Sequence, residues 1–108
     1  MLIHLSSRKV ELQVRRTVTV SRPALFALAA LAAIEAGGRD HATLSQLGEI
    51  MGCTRMTARN RIAMCAREGL CEFWERVGEN GVRLGNGFRI LEAGRDALAA
   101  AREEGVLD

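Results

Sequence analysis

The hydrophobic positions change their period three times along the chain. Val10, Leu12, Val14, Val18 and Val20 alternate with Glu11, Gln13, Thr17 and Thr19, and only Arg16 breaks that apolar face. A period of two belongs to a half-buried strand. "SSRK" at 6–9 offers a turn between a short strand "LIHL" and this longer one, so a hairpin and a long edge strand both fit. At "SRP" the alternation stops. Ser21 is a suitable N-cap, Pro23 is tolerated in a first helical turn, and "ALFALAALAAIEA" is made of strong helix formers. Gly37 and Gly38 end that helix. A second helix opens at Thr43, with Gln46 at the capping-box spacing; Leu44, Leu47, Ile50 and Met51 form its apolar face. "GC" at 52–53 turns the chain, and Thr54 caps a third helix that runs to about Glu68 and stops at Gly69.

Beyond Gly69 the period of two returns. "LCEFWERV" (70–77) alternates, "ENG" and "GNG" follow, and "FRIL" (88–91) resumes. Two Asn-Gly dipeptides are strong hairpin-turn signals. "EAGRDALAAAREEG" then reads as a helix with Gly105 past its end. The order is strand or hairpin, three helices, hairpin and helix, an α+β pattern. At 108 residues the chain has the size of one domain, divided into a β-strand extension (1–20) and a main domain (21–108).

Two helices around a tight turn form a helix-turn-helix, and small residues sit where that geometry needs them. Gly48 lets the helices approach, and Gly52 permits the turn. At about 100° per residue, Ala58, Ile62 and Cys65 share one narrow arc of the third helix and must face the core. Opposite lie Met56, Asn60, Ala63 and Arg67, with Thr57, Arg59 and Met64 alongside and Arg55 and Arg61 flanking the core side.

Charge sharpens this picture. The net charge is only +2, yet residues 1–22 hold five basic residues against Glu11. Residues 53–67 hold four arginines and no acid, whereas residues 71–108 hold five arginines against eight acids. An acid-free helix face of Asn, Thr and Arg suits major-groove reading: Arg pairs with guanine, Asn with adenine, and Thr and the helix N-terminus reach phosphates. The arginine count by itself is no phosphate signal, because an Arg- and Ala-rich coding bias explains it as well.

From Gly52 to Leu70 the sequence resembles the recognition segment of winged helix-turn-helix regulators of the MarR/PadR kind. That pattern puts a small polar cap two residues after the turn glycine, a threonine at the fifth and "GL" at the seventeenth and eighteenth. Thr54, Thr57 and Gly69-Leu70 stand there. "ILEAGR" (90–95) is similar to the "LTxxGR" that follows the wing, and the resemblance covers about residues 22–104. It implies a winged helix: a three-helix core, a β-hairpin wing at 71–91 and a C-terminal helix. Three departures stand out. Leu91 replaces a capping Thr. Arg61 replaces an aliphatic residue, so it must snorkel, meet a phosphate or pair with an acid such as Glu49. Residues 1–20 are strand-like, so the family's helical dimerisation is not carried over.

The function expected is sequence-specific binding of double-stranded DNA by a small transcriptional regulator. Met56, Thr57, Arg59 and Asn60 would read bases. Thr54, Arg55, Arg61, Arg67 and, on the wing, Arg83 would contact phosphates. A homodimer is expected, because one helix reads too few base pairs and two half-sites about 34 Å apart supply the rest. The basic N-terminal strand (Arg8, Lys9, Arg15, Arg16) would pair with the wing, add a strand between protomers or track the DNA backbone. The alternative is a winged helix that binds protein, a mobile-element or phage accessory gripping a polymerase, nuclease or replication factor. The near-neutral charge and the acids Glu72, Glu75 and Glu79 of the wing favour that alternative.

Other chemistries find little footing. His4 and His41 lack triad spacing, and "GENG" and "GNG" lack the helix that a phosphate loop needs, so no enzyme is expected. Three cysteines without a C-x-x-C, far from both histidines, argue against a disulfide framework or a metal site, and no cofactor is expected. Cys65 reads as a buried hydrophobe, and Cys53 at a helix start is the better redox candidate. The longest apolar run, residues 24–34, is too short to span a bilayer, and the polar N-terminus is unlike a signal peptide; a cytoplasmic protein is expected. Of Phe73 and Trp74, adjacent on a strand, one should be core and the other partly exposed, packed under the last helix.

Overall fold

A computed structural model describes residues 2–4 and 17–107. Strands β1 (Leu2–His4) and β2 (Thr17–Thr19) pair antiparallel with Leu2 opposite Thr19, which is the hairpin alternative. The "SSRK" turn, the alternating stretch before Thr17 and the basic residues Arg8, Lys9, Arg15 and Arg16 lie outside the described residues.

Local signals set the helices. Helix α1 (Arg22–Ala36) starts where Ser21 Oγ accepts the Ala24 N–H at 3.3 Å, and it ends at Gly37. It buries Leu25, Leu28 and Leu31 beside Ala24, Ala27 and Ala30, an apolar stripe at helical spacing. Helix α2 (Leu44–Met51) carries the full capping box: Gln46 N–H donates to Thr43 Oγ1, and Thr43 N–H donates to Gln46 Oε1. Helix α3 (Arg55–Arg67) follows Thr54, whose hydroxyl oxygen accepts the Thr57 N–H at 3.2 Å.

The sheet departs from expectation in three places. A two-residue strand, β3 (His41–Ala42), forms in what reads as a loop. It pairs with β5 (Arg83–Ile90), which pairs in turn with β4 (Cys71–Val77), giving the order β3-β5-β4. Strand β5 therefore begins five residues before "FRIL". Only the first Asn-Gly makes the hairpin turn: Gly81 has φ 76°, and Gly78 N–H donates to the Val82 carbonyl at 2.7 Å. The second lies inside β5, where Gly87 is covered by the Trp74 indole; a Cβ there would stand 2.4 Å from a ring carbon. So Trp74, 47% exposed, packs on the hairpin and not under the last helix, while Phe73 lies partly buried against the core.

Helix α4 (Glu92–Glu103) closes the fold from Leu91, which makes no side-chain cap. Its Gly94 sits where a Cβ would come within 2.1 Å of the Leu70 carbonyl. Arg95 grips Glu35 of α1 through two bonds of 2.9 Å. One core joins these elements, with Val20, Leu25, Leu28, Leu31, Leu47, Ile62, Leu70, Phe88, Ile90 and Leu98 among its buried side chains. The β1–β2 sheet lies beside α4, separate from the three-stranded sheet; among the described residues no N-terminal strand joins the wing.

Candidate nucleic-acid interface

The turn between α2 and α3 is built from its glycines. Gly52 adopts the left-handed conformation (φ 68°, ψ 38°), and Cys53 N–H returns to the Gly48 carbonyl at 2.8 Å. Position 48 has no room for a side chain, since a Cβ would meet the Cys53 carbonyl at 2.7 Å. The close approach orients α3 as the arc reading requires. Ala58, Ile62 and Cys65 are wholly buried. Arg55, Met56, Arg59, Asn60, Ala63 and Arg67 are exposed, and Thr57, Arg61 and Met64 are half-buried.

None of the four arginines of α3 pairs with an acid among the described residues, whereas Arg83, Arg89 and Arg95 each hold a glutamate. Arg61, placed at the edge of the core, does not pair with Glu49. The acid that follows the helix in sequence is turned inward. Glu68 accepts the Ser21 N–H at 3.0 Å and the Ser21 O–H at 2.7 Å, so its charge serves the N-terminus of α1. Sequence reading missed this role, because Ser21 and Glu68 are 47 residues apart and nothing local links them. Thr54 also donates its hydroxyl to Thr57 Oγ1 at 3.1 Å, which fixes the Thr57 side chain.

The wing and the start of α3 share a cleft. Arg55, the first residue of α3, and Arg83 line it with Thr43, Leu44, Gly85 and Asn86. Pairing of Ala42 with Asn86 brings those groups together, and no sequence signal announced β3. Yet Arg83 is bound to Glu75 and Arg89 to Glu72, so two of the three wing arginines are already neutralised within the hairpin. Thr54, Arg55, Met56, Thr57, Arg59, Asn60, Arg61 and Arg67 thus lie on or beside a single helix, and Arg83 reaches it only across the cleft.

The cysteines take no part in this face. Cys65 and Cys71 are buried and free; the neighbouring Cys71 thiol, with burial, pushes the Cys65 thiol up, away from the reactive range. Cys53 is free and half-buried.

No family model matches the sequence, and no curated protein does. The structure superposes on a crystal structure of a MarR family transcription regulator over 81% of this chain, with a TM-score of 0.62 and 20% identity. The chain spans 52% of that protein, about half its length. With the helix-turn-helix, the hairpin and the closing helix in place, the chain has the fold of a MarR-like winged helix.

Proposed function

We propose that this protein binds double-stranded DNA sequence-specifically as a small, homodimeric transcriptional regulator. The observation that carries the reading is the outward face of α3, where Arg55, Arg59 and Arg67 are exposed and free of acidic partners among the described residues around Met56 and Asn60. Solvated arginines that the fold leaves unsatisfied are matched to phosphate and to guanine edges. Asn60, Arg59, Met56 and Thr57 form the base-reading set. Thr54, Arg55, Arg61 and Arg67 hold the backbone, and Arg83 adds a contact by exchanging Glu75 for phosphate. The likeness in fold to a transcription regulator supports this assignment.

Fluorescence anisotropy with mixed duplex DNA tests the reading. Affinity should fall on the order of a hundred-fold or more between roughly 50 and 200 mM salt, as release of counterions from several phosphates requires. Arg59→Ala and Asn60→Ala should abolish preference for a selected site while the melting temperature stays within a few degrees of wild type. No binding at low salt sinks the proposal.

Protein docking is the second reading, favoured by the exposed Trp74, Val77, Val82 and Leu84 of the wing. It predicts that hairpin substitutions, and not those of α3, abolish capture of a protein partner.

A further inference from the structure

Among the described residues, no further strand is added to the outer edge of the three-stranded sheet. Strand β4 is its end strand among the described residues. Two bonds fix which backbone groups turn toward β5: Leu91 N–H to the Leu70 carbonyl at one end, and Gly78 N–H to the Val82 carbonyl at the other. Hydrogen bonding alternates along an antiparallel strand, so Glu72, Trp74 and Arg76 face β5. Cys71, Phe73, Glu75 and Val77 then present their N–H and C=O groups to the open side, without hydrogen-bond partners among the described residues. Natural edge strands are blunted by proline, by charged side chains, above all lysine, or by a bulge. Strand β4 has no proline, lysine or bulge, and its charges, Glu72, Glu75 and Arg76, are of both signs, so they can pair with a second copy instead of repelling it. The bulge belongs to β5, where Leu84 and Gly85 together oppose Arg76, and β4 stays regular over its seven residues.

The charges at Glu72 and Arg76 make this strand complementary to a second copy of itself. With a two-fold axis at Trp74, an antiparallel copy sets Cys71 opposite the partner's Val77, Glu72 opposite the partner's Arg76 and Phe73 opposite the partner's Glu75. The parity agrees. The residues with free backbone groups fall in hydrogen-bonded pairs. Trp74 and the Glu72–Arg76 pairs fall in the intervening ones, where side chains lie closest. Charges match as well. Arg76 is the one hairpin arginine that forms no salt bridge among the described residues, although its charge is felt at the Asp40 carboxylate. Glu72 holds Arg89 through Oε2 and keeps Oε1 for the partner's Arg76.

We propose that two copies of this chain associate through β4, joining their sheets edge to edge about a two-fold axis at Trp74. This deepens the dimeric part of the function proposed above and rests on it. No residue of α3 takes part, so both recognition faces stay uncovered by the pairing itself.

Trp74 is the single tryptophan, and its emission reports the axis directly. Sedimentation equilibrium of the full chain over a dilution series should show a dimer that dissociates, with the emission moving to the red as the indole loses its cover. Trp74→Lys sets two ammonium groups face to face, and Arg76→Glu opposes carboxylates across both pairs. Each should weaken self-association on the order of ten-fold or more. Arg76→Glu carries the test if Trp74→Lys fails to fold. A monomer throughout the range overturns the proposal and leaves the edge to an extended peptide of another protein. A dimer that persists in both variants, with emission indifferent to dissociation, overturns it in favour of another surface. DNA binding read in parallel separates the two claims: a monomer that binds DNA overturns the β4 pairing and the homodimer but leaves DNA binding standing, and a β4 dimer that ignores DNA overturns only the regulator.

Discussion

Gly94 and Gly87 show how differently two buried glycines constrain their surroundings. A Cβ at Gly94 would stand 2.1 Å from the Leu70 carbonyl, which is backbone held in place by the Leu91 N–H at 3.0 Å. A Cβ at Gly87 would meet the Trp74 ring, a side chain half in solvent and able to swing away. Gly94→Ala should therefore cost about 3 kcal/mol and Gly87→Ala nearer 1 kcal/mol, the range for overpacked sites. Urea unfolding would rank them, and equal losses would disprove the account. From sequence, Gly94 is legible only as part of the "GR" after the wing, and Asn86-Gly87 reads as a turn. An Asn-Gly pair has the same local preference whether or not an aromatic ring from the next strand covers it.

At the level of elements, the helix starts were legible and the helix contacts were not. Thr43 with Gln46, and Thr54, announce caps that form as read, because a cap involves residues three apart. Helix α1 is capped twice, by Ser21 locally and by Glu68 from the end of α3. Glu68 supplies the negative charge that the first turn of α1 lacks. Glu68→Ala should cost about 1–2 kcal/mol, the loss of two charge-assisted bonds at a half-buried site. In a double-mutant cycle with Ser21→Ala, the combined loss should fall clearly short of the sum. Strict additivity would show that the two residues do not act together. Helix α4 departs in the way Leu91 foretold and begins without a side-chain cap.

At the scale of the whole molecule, the charges are segregated. Arg55, Arg59 and Arg67 of α3 stand exposed without acidic partners among the described residues, while Glu72, Glu75 and Glu35 take up Arg89, Arg83 and Arg95 elsewhere. The near-zero net charge therefore says less about a nucleic-acid partner than the placement of each sign does. If α3 tracks phosphates, Arg67→Ala should lower the slope of log affinity against log salt by about one, because one fewer counterion is released. Arg102→Ala, exposed on α4, removes the same charge and should leave the slope unchanged. Equal effects of the two substitutions would mean a diffuse electrostatic attraction and no docked helix.

The sequence alone determined the order of the helices and the wing hairpin, the caps at Ser21, Thr43 and Thr54, and the division of α3 into a buried arc and an acid-free face. These follow from periodicity and from contacts between residues one helical turn apart. Tertiary structure decided that a strand forms at His41–Ala42, that β5 begins at Arg83, that Trp74 covers Gly87, that Glu68 serves α1 and that Glu75 occupies Arg83. Each joins residues that no local preference brings together, and it exists only because the packed core sets their backbones side by side.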